Sequence, residues 1–284
     1  MIKPVRPFPA LLLERDSERV LVVADLHIGW EAALADKGVH VPSQTPKILD
    51  KMLQLIKSCK PTSMVFLGDV KHAIMKVAMG EWRDIPDFFE TISKEVSKIQ
   101  VIPGNHDGNL EPLLPKTVEI LSSKGAVFWD VGVFHGHAWP TPEVLGCRNL
   151  VTAHVHPMVA FRDPMGFRIT RQVWVKATCD SAKLAEALLK HMHIKVGTNL
   201  TSLLKQSFGV TLKSSSKFLI MPSFNEFLGG QTINKRKLGI KSRSRTFIGP
   251  VLRCGSIDID NAEAYLLDGT FVGNVEQLRS LVKS

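Results

Sequence analysis

The chain has 284 residues, of which 44% are hydrophobic and 22% are charged, so it can bury a large core and is not a disordered polymer. Its formal net charge is +9 and its pI is about 9.4, and a basic protein tends to meet anions such as nucleic acid.

The four cysteines form no Cys-x-x-Cys pair, and their spacings resemble neither a disulfide framework nor a zinc knuckle, which indicates reduced, mostly buried thiols. The first residues hold only a brief apolar run, too short for a signal peptide, and no stretch approaches the ~18 apolar residues of a membrane span. We therefore expect a cytoplasmic protein that makes no membrane contact.

The first half of the chain alternates strands and helices. A turn separates two short predicted strands, and longer apolar runs predict buried strands. Helical periodicity predicts the segments between them. The predicted strands are Leu11–Glu14, Arg19–Ala24, Ser63–Leu67 and Ile99–Pro103, and the predicted helices are a segment ending near Asp36, Thr45–Lys57 and Ile85–Val96.

The second half is richer in strands that pair as hairpins. Together with the first half it is typical of an α/β protein whose early strands are mostly parallel and whose later strands are more antiparallel. The predicted elements are strands near Ala126–Trp129, Val131–Phe134, Leu150–Ala153, Phe161–Arg162, Arg168–Lys176 and Phe218–Met221, a last strand at Ala264–Leu267, a turn at Asp163–Gly166, and helices at Ser181–His191, Thr198–Gln206 and Val275–Val282.

Side chains with ligand chemistry follow five of these apolar runs. Alternate residues of a strand share a face, and open α/β sheets bind ligands beyond the carboxyl ends of their strands. We therefore expect these side chains to collect at one edge. They are Asp25, His27, Asp69, Asn105, His106, His135, His154 and His156.

This set, apart from His106, offers two aspartates, one asparagine and four histidines, with no thiolate. Such oxygen and nitrogen donors favour Mn²⁺, with Fe, Zn²⁺, Co²⁺, Ni²⁺ or Mg²⁺ as alternatives, over Cu(I) or an iron–sulfur cluster. A carboxylate can bridge two cations about 3.5–4 Å apart, and the pair attracts a phosphate and lowers the pKa of a shared water. The expected nucleophile is a bridging hydroxide that attacks phosphorus.

The order and spacing of these residues resemble the five motifs of the calcineurin-like metallophosphoesterases, over residues 20–157. The resemblance implies a four-layer α/β sandwich of two facing mixed sheets flanked by helices. Ala153 stands where the last motif usually has glycine, and we expect slight crowding there. The matching motifs are Asp25-x-His27, Gly68-Asp69, Gly104-Asn105-His106-Asp107, His135-Gly136 and His154-x-His156.

The resemblance also assigns the ligands of two metals. One set would be Asp25, His27 and His156, the other Asn105, His135 and His154, with Asp69 as the bridge.

Four further residues receive roles near the substrate. The resemblance implies that His106 stabilises charge on the phosphate or protonates the leaving oxygen. Asp107 would orient the ring of His106 or cap the following turn. His72 would contact the substrate or be a surface histidine, and His137 would contact phosphate, support a ligand or do neither.

Secondary motifs resemble the DNA-ligase-associated and archaeal nuclease-related branch, whose members act as phosphodiesterases on nucleic acid. The segment 178–216 is longer than that branch typically has. The motifs are Asp25–Gly29, Gly68–His72 and the loop Met221–Asn225 with Gly229-Gly230.

Positive charge concentrates in residues 187–253, which hold twelve Lys/Arg and one acid. Within them, Lys235–Arg245 has six basic residues and no acid. This pattern favours contact with a phosphate backbone, with a solvated loop as the alternative. It gives no sign of base-specific recognition.

We predict a single metallophosphoesterase domain over residues 1–284, with a basic helical insertion at about 178–216 and a C-terminal segment, 217–284, that completes the fold. The predicted function is phosphodiester hydrolysis on nucleic acid, in DNA repair or RNA processing, with DNA-repair proteins as partners. One alternative is a small-molecule phosphomonoesterase or cyclic-nucleotide phosphodiesterase. The other is a non-enzymatic, metal-stabilised scaffold for repair partners.

Overall fold

The computed structural model describes residues 1–163, 165–197, 199–235 and 247–281. Contacts divide the chain into two compact units. Unit 1 is residues 1–123 with 223–228, and unit 2 is the described part of residues 124–222 and of 229 onward. The single domain remains a prediction. Pro164 of the predicted turn, Thr198, Val282 and residues 236–246, which include most of the basic stretch Lys235–Arg245, lie outside the described residues.

Unit 1 is built on a six-stranded mixed sheet. Its strands are β1 (Ile2–Pro4), β2 (Ala10–Arg15), β3 (Glu18–Val23), β4 (Ser63–Leu67), β5 (Ile99–Ile102) and β6 (Val118–Ile120). They lie side by side in chain order. The first three are antiparallel, and β3 to β6 run parallel, as predicted for the early strands.

Helices connect β3 to β4 and β4 to β5, because a parallel pair needs a long crossover. These helices are α1 (Trp30–Ala35), α2 (Thr45–Cys59) and α3 (Met79–Ser93). β4 and β5 are buried throughout, which explains why continuous apolar runs located them. The carboxyl ends of β3, β4 and β5 therefore share one edge of the sheet.

The sequence placed the start of α3 wrongly. Helical periodicity predicted Ile85–Val96, whereas the helix is Met79–Ser93 and runs through Pro86. Its first turn has no apolar stripe and is instead held by Glu81, whose carboxylate accepts the Ala78 N–H at 2.7 Å.

Unit 2 is built on a nine-stranded mixed sheet. Its strands are β7 (Ala126–Phe128), β8 (Val131–Val133), β9 (Asn149–Thr152), β10 (Pro157–Arg162), β11 (Arg168–Asp180), β12 (Ser215–Ile220), β13 (Gln231–Thr232), β14 (Glu263–Leu266) and β15 (Phe271–Asn274). The order is β13-β10-β11-β12-β9-β8-β7, with β14 paired to β11 and β15 to β14. Antiparallel pairs predominate, although β9 is parallel to β8 and β12 and β13 is parallel to β10. The two mixed sheets with helices agree with the fold that the resemblance implies.

Unit 2 contains the helices α4 (Ser181–His191), α5 (Leu200–Phe208), α6 (Pro250–Arg253) and α7 (Val275–Leu281). α4 and α5 form the predicted helical part of segment 178–216, and their apolar residues, such as Leu184 and Leu204, belong to the core of unit 2. The prediction of Ala264–Leu267 as the last strand was wrong, because β15 follows it. β15 is short and is specified by pairing with β14 rather than by an apolar run.

Two expectations from composition concern the chain as a whole. All four cysteines are free, and Cys59, Cys147 and Cys179 are buried. Among the described residues, no helix combines the length and the hydropathy needed to cross a bilayer. The cytoplasmic location remains a prediction.

Candidate functional site

In unit 1, strand-like pairing continues past the ends of β3 and β4. Asp25 donates its backbone N–H to the Gly68 carbonyl at 3.0 Å, and His27 donates to the Asp69 carbonyl at 2.8 Å. The side chains of Asp25, His27 and Asp69 are all buried. His27 Nε2 lies 3.6 Å from Asp69 Oδ2. The sheet edge thus brings these three predicted ligands together.

The backbone is strained at the predicted ligands. Among the described residues, ten non-glycine residues have positive φ. L-residues avoid this region because the Cβ crowds the carbonyl oxygen, at about 1–2 kcal/mol each, and such strain clusters at functional sites. Half of the ten are predicted ligands: Asp25 (φ 57°), His27 (46°), Asp69 (52°), His154 (69°) and His156 (42°).

The loop after β5 packs directly against Asp69. A Cβ placed on Gly104 would lie 2.2 Å from Asp69 Oδ1 and 2.5 Å from the Asp69 nitrogen, so only glycine fits. His106 donates its backbone N–H to the same Oδ1 at 2.8 Å. These contacts place Asn105, between the two, beside the bridging ligand that the resemblance assigns.

Asp107 braces two loops. Its Oδ1 accepts the backbone N–H groups of Val70 at 2.8 Å and Lys71 at 3.2 Å. Its Oδ2 accepts the N–H of Gly104 at 2.7 Å. The carboxylate is buried, and these bonds hold the loop after β5 to the loop after β4. Its predicted catalytic role remains a prediction.

Three imidazoles meet in unit 1. The ring of His27 lies edge-on to His106 and His72, with centroids 4.6 Å and 5.3 Å away. One ring nitrogen from each lies within 4.8 Å of the others. His106 Nδ1 bonds the carbonyl oxygen of His72, which orients the His106 ring. Burial lowers the pKa of His72, and the nearby His106 lowers it further.

The residue that holds His72 was not among the predicted site residues. Glu81 is fully buried, and its Oε1 accepts the backbone N–H groups of His72 at 2.9 Å and Ala73 at 2.7 Å. It therefore ties the loop carrying His72 to the start of α3. A glutamate at the third position of a helix is a capping signal. Because helical periodicity predicted a start at Ile85, Glu81 lay outside the predicted helix and its capping role was not predicted.

In unit 2, the residues after β8 and β9 bring the remaining predicted histidines together. His135 is fully buried, and its ring centroid lies 5.0 Å from that of His154 and 5.4 Å from that of His137. The carbonyl oxygen of His135 accepts the backbone N–H of Ala153 at 2.9 Å. Ala153 does not have a positive φ, so its Cβ adds no backbone strain.

His156 is held in unit 2 by the glycine pair after residue 228. Its Nδ1 lies 3.2 Å from the Gly229 carbonyl oxygen. A Cβ on Gly230 would lie 1.9 Å from the His156 carbonyl oxygen, so glycine is required for this approach. The glycine at position 230 is therefore set by its close approach to the backbone that carries His156.

The residues present fit a divalent cation. Asn105 Oδ1 is buried and has no hydrogen-bond partner among the described residues. A buried acceptor left without a donor costs about 1–3 kcal/mol, and coordination to a cation would satisfy it. Carboxylate, amide and imidazole ligands suit Mn²⁺, Zn²⁺ or Fe.

Comparison with known proteins agrees with this chemistry. A family model described as calcineurin-like phosphoesterase matches residues 18–196. A search of curated proteins gives no significant match. The solved structures similar to this chain include a Pseudomonas putida nuclease MPE, at 18% identity over 94% of this chain and 98% of that one, with a TM-score of 0.48. They also include YfcE, a phosphoesterase from E. coli, at 18% identity over 51% of this chain and 73% of that one, with a TM-score of 0.32. The family match covers more than half of the residues, and the chain therefore belongs to the calcineurin-like phosphoesterase family.

Proposed function

We propose that the chain is a two-metal phosphodiesterase that acts on nucleic acid. Family membership supports the coarser statement, a metal-dependent hydrolase of phosphate esters. The observation that carries the proposal is the cluster in unit 1, where Asp25, His27 and Asp69 hold strained backbone conformations beside a buried Asn105 oxygen that lacks a donor among the described residues.

The residues that would hold the metals come from the predicted set. When bound, two divalent cations supply positive charge for the phosphate oxygens and lower the pKa of water. The ligands are Asp25, His27, Asp69 and Asn105 in unit 1, and His135, His154 and His156 in unit 2.

His106 is the proton-handling group in this proposal. Because its Nδ1 faces the carbonyl oxygen of His72, the neutral ring keeps its proton on Nδ1. Nε2 is then the atom that takes up a proton. Once protonated, it can bond a phosphate oxygen or give the proton to the leaving oxygen. The backbone N–H of His106 also donates a hydrogen bond to Asp69 Oδ1, which fixes the backbone that carries this ring relative to the proposed bridging ligand.

Charge supports nucleic acid as the substrate. The described basic residues of region 187–253 include Lys190, Lys205, Lys217 and Lys235, all exposed on unit 2. Exposed lysines attract a phosphate backbone without reading its sequence. Partners from DNA repair and a cytoplasmic location are part of the same proposal.

The proposal is tested by metal reconstitution. The protein is stripped with chelator, supplied with Mn²⁺, and assayed on bis-p-nitrophenyl phosphate and on p-nitrophenyl phosphate. We expect metal-dependent hydrolysis that prefers the diester. Asn105→Ala should lose it by about 10²-fold or more, as expected for loss of a positioned group. Asn109→Gly is the matched control, because Asn109 is exposed in the same loop and its φ of 61° suits glycine.

The outcomes separate the alternatives. A preference for the monoester would point to a phosphatase of small molecules. Bound metal with no hydrolysis of either ester would favour the metal-stabilised scaffold. Equal activity of Asn105→Ala and the control would refute the ligand assignment.

A further inference from the structure

The loop motif Met221–Asn225 continues into a segment that belongs to unit 1. Ser223 Oγ donates to the Asp25 carbonyl oxygen at 2.8 Å, and Asn225 Nδ2 donates to the Leu26 carbonyl oxygen at 2.9 Å. Phe224 is buried in the core of unit 1. This part of the loop is therefore anchored to the backbone that carries Asp25.

The same loop presents an exposed aromatic ring beside that backbone. Phe227 donates its N–H to Asn225 Oδ1 at 3.0 Å, and its side chain is 43% exposed. Its ring stacks on Trp30, with centroids 5.9 Å apart and an interplanar angle of 15°. Trp30 opens α1, and its N–H bonds the His27 carbonyl at 3.2 Å. The stacked pair is thus held next to the backbone of two predicted ligands.

A cation completes this surface. Lys47 is exposed on α2, and its Nζ lies 5.5 Å from the ring centroid of Phe227. The structure shows no ion pair for Lys47 within the part of the chain that it describes. Lys51, by contrast, forms an ion pair, with its Nζ 4.0 Å from Glu226 Oε2. Lys47 is therefore the cation of this surface available to an anion.

We propose that Trp30, Phe227 and Lys47, here called the aromatic platform, bind an unstacked base of a single-stranded nucleic acid. The ring of Phe227 would stack on the base and Lys47 would pair with a neighbouring phosphate. This inference rests on the proposed function and names the form of its substrate. A double helix hides its base faces within the stack, so the platform fits single strands or frayed ends.

The balance of contacts favours the base. An exposed lysine over an aromatic ring is worth about two- to five-fold in an equilibrium constant. Stacking of one base on an aromatic side chain is worth about five- to 150-fold. A base can therefore replace the lysine over the ring, and the flexible lysine side chain can keep its favourable electrostatics by moving to the phosphate.

The test measures binding without metal or turnover. A fluorescein-labelled thymidine oligomer of about 12 nucleotides, within the site sizes of single-strand-binding grooves, is titrated in chelator by fluorescence anisotropy. An abasic oligomer of the same length carries the same charge but no bases. We expect the wild-type protein to bind the thymidine oligomer about five-fold or more tightly than the abasic one.

Variants assign that preference to the platform. Phe227→Leu should reduce the ratio between the two oligomers to near one, and Phe227→Trp should restore it. Phe271→Leu is the matched control, since Phe271 is also an exposed aromatic, at 52%, but lies on β15. Lys47→Gln should weaken the binding of both oligomers alike. It should also reduce the slope of log binding constant against log salt concentration by about 0.7. Thermal melts confirm that each variant is folded.

Two results would overturn the platform: equal binding of both oligomers by the wild type, or an unchanged ratio in Phe227→Leu. A uridine ribo-oligomer tested beside the deoxy-oligomer distinguishes RNA from DNA, and a base preference on either strand supports the platform. Failure of the proposed function is separable. Base-dependent binding without diester hydrolysis would refute that function alone, whereas hydrolysis without base-dependent binding would refute the platform alone.

Discussion

Replacing Gly104 with alanine should disable the site while leaving the fold in place. The new Cβ would lie 2.2 Å from Asp69 Oδ1, and contacts of this kind do not occur below 3.0 Å, so Asp69 or the loop must shift by 0.8 Å or more. Displacement of a positioned group by about 1 Å can reduce a rate by about 10²-fold. Overpacking of this size lowers the free energy of unfolding by about 1–3 kcal/mol.

A second glycine in the same loop supplies the control. A Cβ on Gly108 would meet only the Ile74 carbonyl oxygen, at 3.5 Å, which is ordinary contact. Hydrolysis of bis-p-nitrophenyl phosphate and bound Mn²⁺ are measured for Gly104→Ala and Gly108→Ala, with unfolding in urea for both. We expect loss of kcat/KM and of bound metal only in the first. Wild-type activity in Gly104→Ala would refute the claim that this glycine is required by its approach to Asp69.

Three further predictions concern the supporting structure. Glu81→Gln places an amide N–H against at least one of the backbone N–H groups that donate to Glu81, so the free energy of unfolding in urea should fall by about 1–3 kcal/mol. An unchanged urea midpoint would contradict the role of Glu81 as a brace. Asp180 caps α4, so Asp180→Ala should cost about 1 kcal/mol at pH 7 and Asp180→Asn much less. The hydrogen bond from the Lys183 backbone N–H lowers the pKa of Asp180. The stabilisation by the Asp180 carboxylate is therefore present above its unfolded pKa of about 3.9 and is lost as pH falls through its folded pKa. The difference in free energy of unfolding between Asp180→Asn and wild type should therefore become smaller in acid, and an unchanged difference would reject this cause. Burial raises the pKa of Cys179 to about 12, so a thiol reagent at pH 8 should label Cys179 only after unfolding. Mass spectrometry identifies the labelled residue, and rapid labelling of Cys179 in the native protein would contradict its burial.

Local patterns in the sequence determined much of the fold and part of the site. β4 and α4 begin and end at the predicted residues, because a buried strand reads as a continuous apolar run and α4 has an amphipathic pattern with a capping aspartate. Asp25, His27 and Asp69 could be placed together because they follow neighbouring parallel strands. The anchoring of Ser223 and Asn225 to the backbone that follows β3 could not be predicted, since it joins residues 198 and 199 positions apart.

The two braces of unit 1 explain why the rest of the site is hard to infer from a sequence. Asp107 and Glu81 each bind backbone N–H groups of a neighbouring loop, and hydropathy carries no signal for such a bond. Between them lies Lys71, which is fully buried. Burial lowers the pKa of Lys71, whereas the charges of Glu81, Asp107 and Asp69 raise it. Removing either brace therefore also leaves a buried cation with fewer compensating charges. The positions of His72 and Asn105 thus depend on a network of buried charge whose members need not contact the substrate themselves.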